Sequence, residues 1–438
     1  MMDYSSATAY LNSFTNHEST TGHNYGPENY NLNRMLRILN LLDCPHSKYP
    51  SIHIAGTKGK GSVAAMTESV VRMSGKNTGL YTSPHLHSVR ERIQINGKPI
   101  NKKSFTNTLE KLKPTIKTEM NITYYEILTL IAFQWFATNN IDVAILEVGL
   151  GGRLDATNVV NPILSVITTI SYDHMNILGQ TINKIAAEKS GIIKHTVPVI
   201  TGSQPPDALS TIKSYASELN APLMDSSSIW CWKSIKQTFE SQTFSVWKKK
   251  QGHSIINYSI PLLGVHQITN STIVLSIIDC LNKSGWNITD ENVHKGLSNV
   301  KWYARCEIIE SSPPIIIDCA HNPASIISLN QMLDNMFPNK ERIYIFGAMA
   351  DKDVSTMFNH LMPTAYHTIL TSAGLNRSMT VQDLSLLTKK YSAIITIKQE
   401  LDKALKFALQ LSNQNRIVIA TGSVPVAAGI RSLITNEQ

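Results

Sequence analysis

The segment Gly56-Thr57-Lys58-Gly59-Lys60-Gly61-Ser62 follows a run of strand-forming residues, Ser51–Ala55, and precedes a stretch with helical periodicity. Glycines let successive backbone N–H groups turn toward one point, where they cradle phosphate oxygens. The N-terminus of the following helix adds partial positive charge. Lys60 can neutralise a β/γ-phosphate, and the Ser62 hydroxyl can approach a magnesium ion. The strict pattern G-x-x-x-x-G-K-[ST] is not met, because Ile54 stands at its first glycine and Gly61 follows the lysine. The segment therefore reads as a shortened phosphate loop, and nucleotide binding is expected. Other polar residues close expected strands. Glu147 ends the apolar run Val143-Ala144-Ile145-Leu146, Ser83-Pro84-His85 follows Thr78–Tyr81, and Asp173-His174 follows Ile163–Ile170. A carboxylate at the position of Glu147 can hold magnesium beside the phosphates. Taken singly, Ser83 and Asp173 also suit caps, and an imidazole is a poor magnesium ligand. Their joint placement after successive strands is what points to a metal site. Lys189, in Ala187–Ile193, reads by itself as a surface lysine near a helix end.

These residues need a scaffold that brings strand ends together. Short apolar runs alternate with helical patterns along the chain, the mark of a mainly parallel sheet covered by helices. Strands are expected at Ser51–Ala55, Thr78–Tyr81, Asp142–Val148 and Ile163–Ile170, with a helix from about Ser62. Thr123 and Glu126 form a capping box ahead of the apolar helix Ile127–Phe136. The pattern restarts near residue 302 with strands at Ile315–Asp318, Arg342–Phe346, His367–Leu370 and Arg416–Ala420, and Pro323 suits the first turn of a helix. The expected fold class is α/β: a P-loop domain over residues 1–300 and a smaller Rossmann-like domain over 301–438.

Composition agrees with a large packed molecule. Of 438 residues, 42% are hydrophobic and 16% charged, which excludes global disorder, collagen and coiled coil. No apolar run reaches the length of a membrane span, and the N-terminus lacks a signal-peptide pattern, so no membrane partner is expected. The net charge of +8, from 40 Lys and Arg against 32 Asp and Glu, favours acidic ligands. Aromatics do not alternate with basic residues, so nucleic acid is not an expected partner. Lys248-Lys249-Lys250 is expected to be a solvated hairpin tip. Five scattered cysteines without a CxxC pair suit a reducing, cytoplasmic setting.

The chain as a whole resembles the folylpolyglutamate synthase and dihydrofolate synthase family of the Mur ligase superfamily. The resemblance is carried by Gly56–Ser62, Ser83–Leu86 with Glu91-Arg92-Ile93, Leu146–Asn158, Asp173-His174, Glu188–Ile192, His266–Asn270, Asp318–Pro323, Phe346-Gly347 with Asp351-Lys352-Asp353, and Thr421-Gly422-Ser423. These segments run in family order from about residue 30 to 425. The resemblance implies an ATP-dependent ligase that joins L-glutamate to a pterin-containing carboxylic acid, dihydropteroate or folate. It implies a nucleotide site at Gly56, Thr57, Lys58, Gly59, Lys60, Gly61, Ser62, Asn270, Arg305 and Asp318. It implies one or two magnesium ions held by Ser62, Ser83, Glu147, His174 and a carboxylated Lys189. An ammonium would repel the ion, whereas a lysine carbamate is an anionic oxygen ligand, and forming it needs a neutral amine that burial favours. The acid substrate is implied near Thr123, Tyr125, Glu126, Arg153 and Asp155. Catalysis is implied at Lys60, Lys189 and His321, with His321 and Ser423 holding glutamate. The family's Trp-Pro-Gly-Arg is here Trp302-Tyr303-Ala304-Arg305, Cys319 stands where glycine is usual, and Leu375–Ser378 matches the usual Asn-Pro-Arg loosely.

The implied chemistry is phosphorylation of the acid by ATP's γ-phosphate, then attack of the glutamate amine on the acyl phosphate. A monomer is expected. Another Mur-type ligase would need a separate N-terminal domain, but only 55 residues precede Gly56. A P-loop kinase or ATPase would leave Asp318–Pro323 unexplained. A non-catalytic binding protein would require losses in the loop or metal ligands, and none is seen.

Overall fold

The structure is a computed structural model that describes residues 2–18, 26, 29–250, 254–309 and 313–435. Eight strands form the first sheet: β1 (Ser51–Ala55), β2 (Thr78–Tyr81), β3 (Ile93–Ile95), β4 (Lys98–Pro99), β5 (Val143–Glu147), β6 (Leu164–Ile167), β7 (Val199–Thr201) and β8 (Leu223–Asp225). Their order is β4-β3-β2-β5-β1-β6-β7-β8. Pairing is parallel from β2 to β8, and only the edge strands β3 and β4 are antiparallel. Parallel strands covered on both faces become continuously apolar. Accordingly β2, β5 and β6 are buried at every position.

One face packs Ile52, Ile54, Val143 and Val166 against the helices Lys60–Met73 and Val265–Lys283. The other packs Ala144 and Leu146 against Lys102–Ile116 and Tyr124–Thr138. An antiparallel sheet of β9 (Trp230–Gln237), β10 (Gln242–Lys248) and β11 (Ile256–Ile260) adds to the first face. Its alternating Phe244 and Val246 point inward. Lys248 is therefore not a free tip: it closes β10, pairs with Asp279 at 2.6 Å and lies over the Trp230 ring. Lys249 and Lys250 are exposed.

The third sheet comprises β12 (Glu307–Ile309), β13 (Ile315–Ile317), β14 (Glu341–Phe346), β15 (Ala365–Leu370), β16 (Ile394–Ile397) and β17 (Arg416–Thr421), in the order β12-β13-β17-β14-β15-β16. Only β12 is antiparallel to its neighbour. Every strand expected from the sequence is present, but the fourth stops at Ile167 rather than Ile170, where the chain turns toward the phosphate loop. The helix after that loop starts at Lys60, not Ser62, because Gly59 takes φ +82° and serves as its cap.

The expected capping box at Thr123 and Glu126 forms. Glu126 also takes a buried bidentate contact from Arg34, at 2.8 and 2.9 Å. Breaking such a pair strands a charge in the interior. Arg34→Ala is therefore expected to lower unfolding free energy by about 3–5 kcal/mol, measured by urea denaturation. A loss below about 1 kcal/mol would show that water reaches the pair.

Candidate active site

Strands β1, β2, β5 and β6 all send their carboxyl ends toward one crevice, with β1 between strands reached by connections of opposite direction. Open α/β sheets place ligands at such a switch point. The carboxyl ends of β13, β14 and β17 meet the same crevice from the other side. Between them lies a cavity of about 1390 Å³. That exceeds the roughly 300–1,000 Å³ of a site for one small molecule, so the crevice has room for more than one ligand.

The phosphate loop forms its floor. Thr57 and Lys58 donate their backbone N–H to the Thr169 carbonyl, at 3.0 and 3.2 Å, which fixes the loop to the end of β6. The first helical hydrogen bond runs from Val63 N to Gly59 O. The N–H groups of Lys60, Gly61 and Ser62 thus have no acceptor within the helix, as helix geometry requires. They are the donors available to an anion. Gly59 is fixed twice over, by its φ of +82° and by an added Cβ lying 2.5 Å from Asn270 Oδ1. Gly59→Ala should weaken AMPPCP binding at least tenfold, read by calorimetric titration, since about 1–2 kcal/mol of backbone strain comes with the steric conflict. An unchanged affinity would place the anion elsewhere.

Glu147 closes β5, and its Oε2 accepts from Ser83 N at 3.1 Å. Burial pushes its carboxyl up, while the Lys60 charge opposes this. Lys189, only 4% exposed, lies in the last turn of the helix Ile182–Ser190. Burial and the neighbouring Lys60 charge push it down to about 7, so a substantial share of its amine is neutral near physiological pH. Lys58 and His266 are likewise lowered by burial, to about 8 and about 4.

Asp173 joins the two sides of the crevice. Its carboxylate accepts from His174 N at 2.9 Å, Lys352 Nζ at 3.0 Å and Asn322 Nδ2 at 2.9 Å. Burial would raise it, but Lys352, His174 and His321 hold it well below the usual range. His321 donates from Nδ1 to the Cys319 carbonyl at 2.8 Å, so its Nε2 carries the lone pair. Burial lowers His321 to about 4.

Asp318 accepts from Cys306 N at 2.7 Å and Ala320 N at 2.8 Å, and burial raises its carboxyl. Ala304 and Cys306 flank Arg305 with φ of +53° and +51°. The left-handed turn thus forms with alanine where the family has glycine. Cys319 is buried, and its N–H donates to the Ala304 carbonyl at 3.1 Å.

At the far end, Asp155 is 3% exposed and its carboxylate accepts from Gly149 N, Leu150 N and Thr157 N, each at 3.0 Å. The Tyr125 hydroxyl is buried without a hydrogen-bond partner. Arg92 forms a 2.6 Å ion pair with Glu18 and donates to His85 Nδ1 at 2.9 Å.

All of the residues expected at the site line this cavity except Arg153. That side chain is 49% exposed and pairs with Glu188 at 2.8 Å. Its backbone explains the position: Arg153 N donates to Glu188 O, pinning the loop after β5 onto the helix that carries Lys189. A Cβ on the adjoining Gly152 would lie 2.7 Å from that same carbonyl. Thr123 and Glu126 line the wall, but their polar atoms are engaged with each other and with Arg34. Among the described residues, no three His, Cys, Asp or Glu side chains cluster as a ready metal cage. The donor set on offer is one carboxylate, hydroxyls, an imidazole and the amine of Lys189, whose pKa burial lowers.

Sequence reasoning gave no role to Lys352, Asn322 or Glu18. The motif Asp351-Lys352-Asp353 was the available signal for the first. Nothing marked Glu18, whose partner Arg92 lies 74 positions away.

The Mur ligase middle domain matches residues 54–278, and the Mur ligase glutamate ligase domain matches 304–424. The dihydrofolate synthase/folylpolyglutamate synthase of Bacillus subtilis is 34% identical over 414 residues, covering 91% of this chain and 94% of that protein. The Mycobacterium tuberculosis folylpolyglutamate synthase complexed with ADP superposes with a TM-score of 0.89 at 30% identity, covering 99% of this chain and 98% of that one. An FPGS–AMPPCP–folate complex superposes with a TM-score of 0.82 at 28% identity, covering 99% of this chain and all of the other. The chain belongs to the Mur ligase family, and within it to the dihydrofolate and folylpolyglutamate synthases.

Proposed function

We propose that this chain joins L-glutamate to dihydropteroate, to a reduced folate, or to both, at the expense of ATP. The observation that carries the reading is convergence. The phosphate loop, Glu147, Lys189, Tyr125, Asp155, His321 and Ser423 line one cavity of about 1390 Å³, with room for more than one ligand. In this reading an oxygen of the acid's carboxylate attacks the γ-phosphorus, the bond to ADP breaks, and an acyl phosphate forms. The glutamate amine then attacks the acyl carbon, phosphate leaves, and the amine gives up a proton.

Lys60 and the free N–H groups at the helix start hold the phosphates, with Asn270, Arg305 and Asp318 around the rest of the nucleotide. Phosphoryl transfer depends on such positioning and charge neutralisation rather than on a protein nucleophile. Ser62, Ser83, Glu147, His174 and a carboxylated Lys189 would hold one or two magnesium ions. The buried carboxylate, with a single backbone donor on Oε2, and the hydroxyls suit that ion. Magnesium, when bound, supplies charge neutralisation at the phosphates. The lowered pKa of Lys189 suits carbamate formation, in which the neutral Nζ bonds to the carbon of CO₂ and releases a proton. Tyr125 and the loop at Asp155 face the pterin acid. His321, whose Nε2 lies 3.8 Å from Asp173 Oδ2, and Ser423 receive glutamate.

The functional division we propose is residues 1–300 for the phosphates, magnesium and the acid, and 301–438 for glutamate, with Arg305 and Asp318 reaching across to the nucleotide. The chain would act as a cytoplasmic monomer. ATP consumption measured with dihydropteroate or tetrahydrofolate plus glutamate, each omitted in turn, tests the reading. Turnover that continues without glutamate, or that fails with both acids, would overturn it. Comparing the two acids separates the two activities.

A further inference from the structure

His53 lies in the middle of β1, fully buried, three residues before the phosphate loop. An imidazole there is unexpected among Ile52, Ile54 and Ala55. Its side chain points to the opposite face of the sheet from Ile52 and Ile54, toward the short helical turn Ala156–Val159. There Nε2 lies 2.8 Å from Thr157 Oγ1. Thr157 Oγ1 in turn donates to Asp155 Oδ1 at 2.5 Å.

Counting protons fixes the direction of this chain. Asp155 has donors on both oxygens: Thr157 N and Oγ1 on Oδ1, Gly149 N and Leu150 N on Oδ2. Burial raises this carboxyl, but three backbone N–H donors favour its charged form, and in this geometry it accepts from Thr157 Oγ1. The single hydroxyl proton of Thr157 is therefore spent on Asp155, and its lone pair must receive the His53 Nε2 proton. His53 is thus the neutral tautomer protonated at Nε2. Its Nδ1 is buried with no partner. Burial, with the Lys194 charge adding to it, lowers His53 to about 3, so that it stays neutral across the working range.

We propose that His53 is a positioning residue for the acid substrate: it orients the Thr157 hydroxyl toward Asp155, and Asp155 then holds the Gly149–Leu150 wall of the cavity. The relay couples the strand that delivers the phosphate loop to the wall that receives the pterin acid. It rests on the substrate reading above. Without the His53 donor, the Thr157 hydroxyl is free to rotate away, and Asp155 loses one of its donors.

The test is calorimetric titration of the full chain with pteroate and, separately, with AMPPCP. His53→Leu should weaken pteroate binding about tenfold, and leave AMPPCP within about twofold. Thr157→Val, which removes the middle link, should give a similar loss. The double variant should be little worse than either single one, because both cut the same chain. His53→Gln keeps an N–H donor and should recover most of the affinity.

Pteroate affinity retained in folded His53→Leu would overturn the proposal, as would equal losses for both ligands or additive losses in the double variant. Should His53→Leu not fold, Thr157→Val and His53→Gln decide: the first must lose pteroate selectively and the second must keep it. Failure of the unaltered chain to bind pteroate would instead sink the substrate reading.

Discussion

Lys60→Ala is expected to lower kcat about 10³-fold or more while the chain remains folded. Removing a single preorganised donor from a transition state costs about 10²–10³, and a cation facing a transferring phosphoryl group is worth up to about 10⁵. Lys60 is the first residue of its helix and half-buried, and it belongs to none of the hydrophobic clusters. Alanine is also the better helix former, so the melting temperature should hardly move. Lys60→Arg should recover only part of the rate, because a planar fork cannot replace a point charge in a turn this tight. Single-turnover ADP formation with saturating ATP reads the effect. Near-full turnover in purified Lys60→Ala would show that the loop does not bind the transferred phosphate.

The second large effect is at Lys189, where activity and stability should move in opposite directions. Lys189→Met is expected to lower turnover about 10²–10³-fold, the loss of one charged group from a transition-state site. Its effect on stability follows from proton linkage. The folded-state pKa of about 7 lies below the unfolded value of 10.5. Between these two values the unfolded chain binds more protons, so stability rises with pH. Below pH 7 both states are protonated, and the full penalty of burying the charge is present. In CO₂-free buffer, urea denaturation should therefore show Lys189→Met more stable than the parent at pH 6, with the gap closing toward pH 10. A gap independent of pH would mean that the amine is solvated. Bicarbonate should stimulate the parent chain and leave Lys189→Met unaffected.

Much of this site could be read from local pattern. The phosphate loop, Glu147, Ser83 and His174 follow short apolar runs, and in a parallel sheet strand ends converge by construction. The capping box at Thr123 and Glu126 is also a local matter, set by spacing of three. Partners were harder to read. Glu126 was expected on the substrate side, yet its charge is taken by Arg34, 92 positions earlier. Arg153 was expected to face substrate, yet the packing of Gly152 on the helix below turns it to Glu188.

The sequence by itself determined which residues stand at strand ends, because alternation of apolar runs with glycine-bearing turns is a short-range signal. It also determined the family, through motifs kept in order. Only the tertiary structure decided how charge is distributed. Whether Lys189 is a surface ammonium or a buried amine of lowered pKa depends on which helices cover it. Whether His53 is mere core or the end of a relay depends on a threonine 104 residues away. Desolvation and long-range hydrogen bonds belong to the packed state, and no local pattern encodes them.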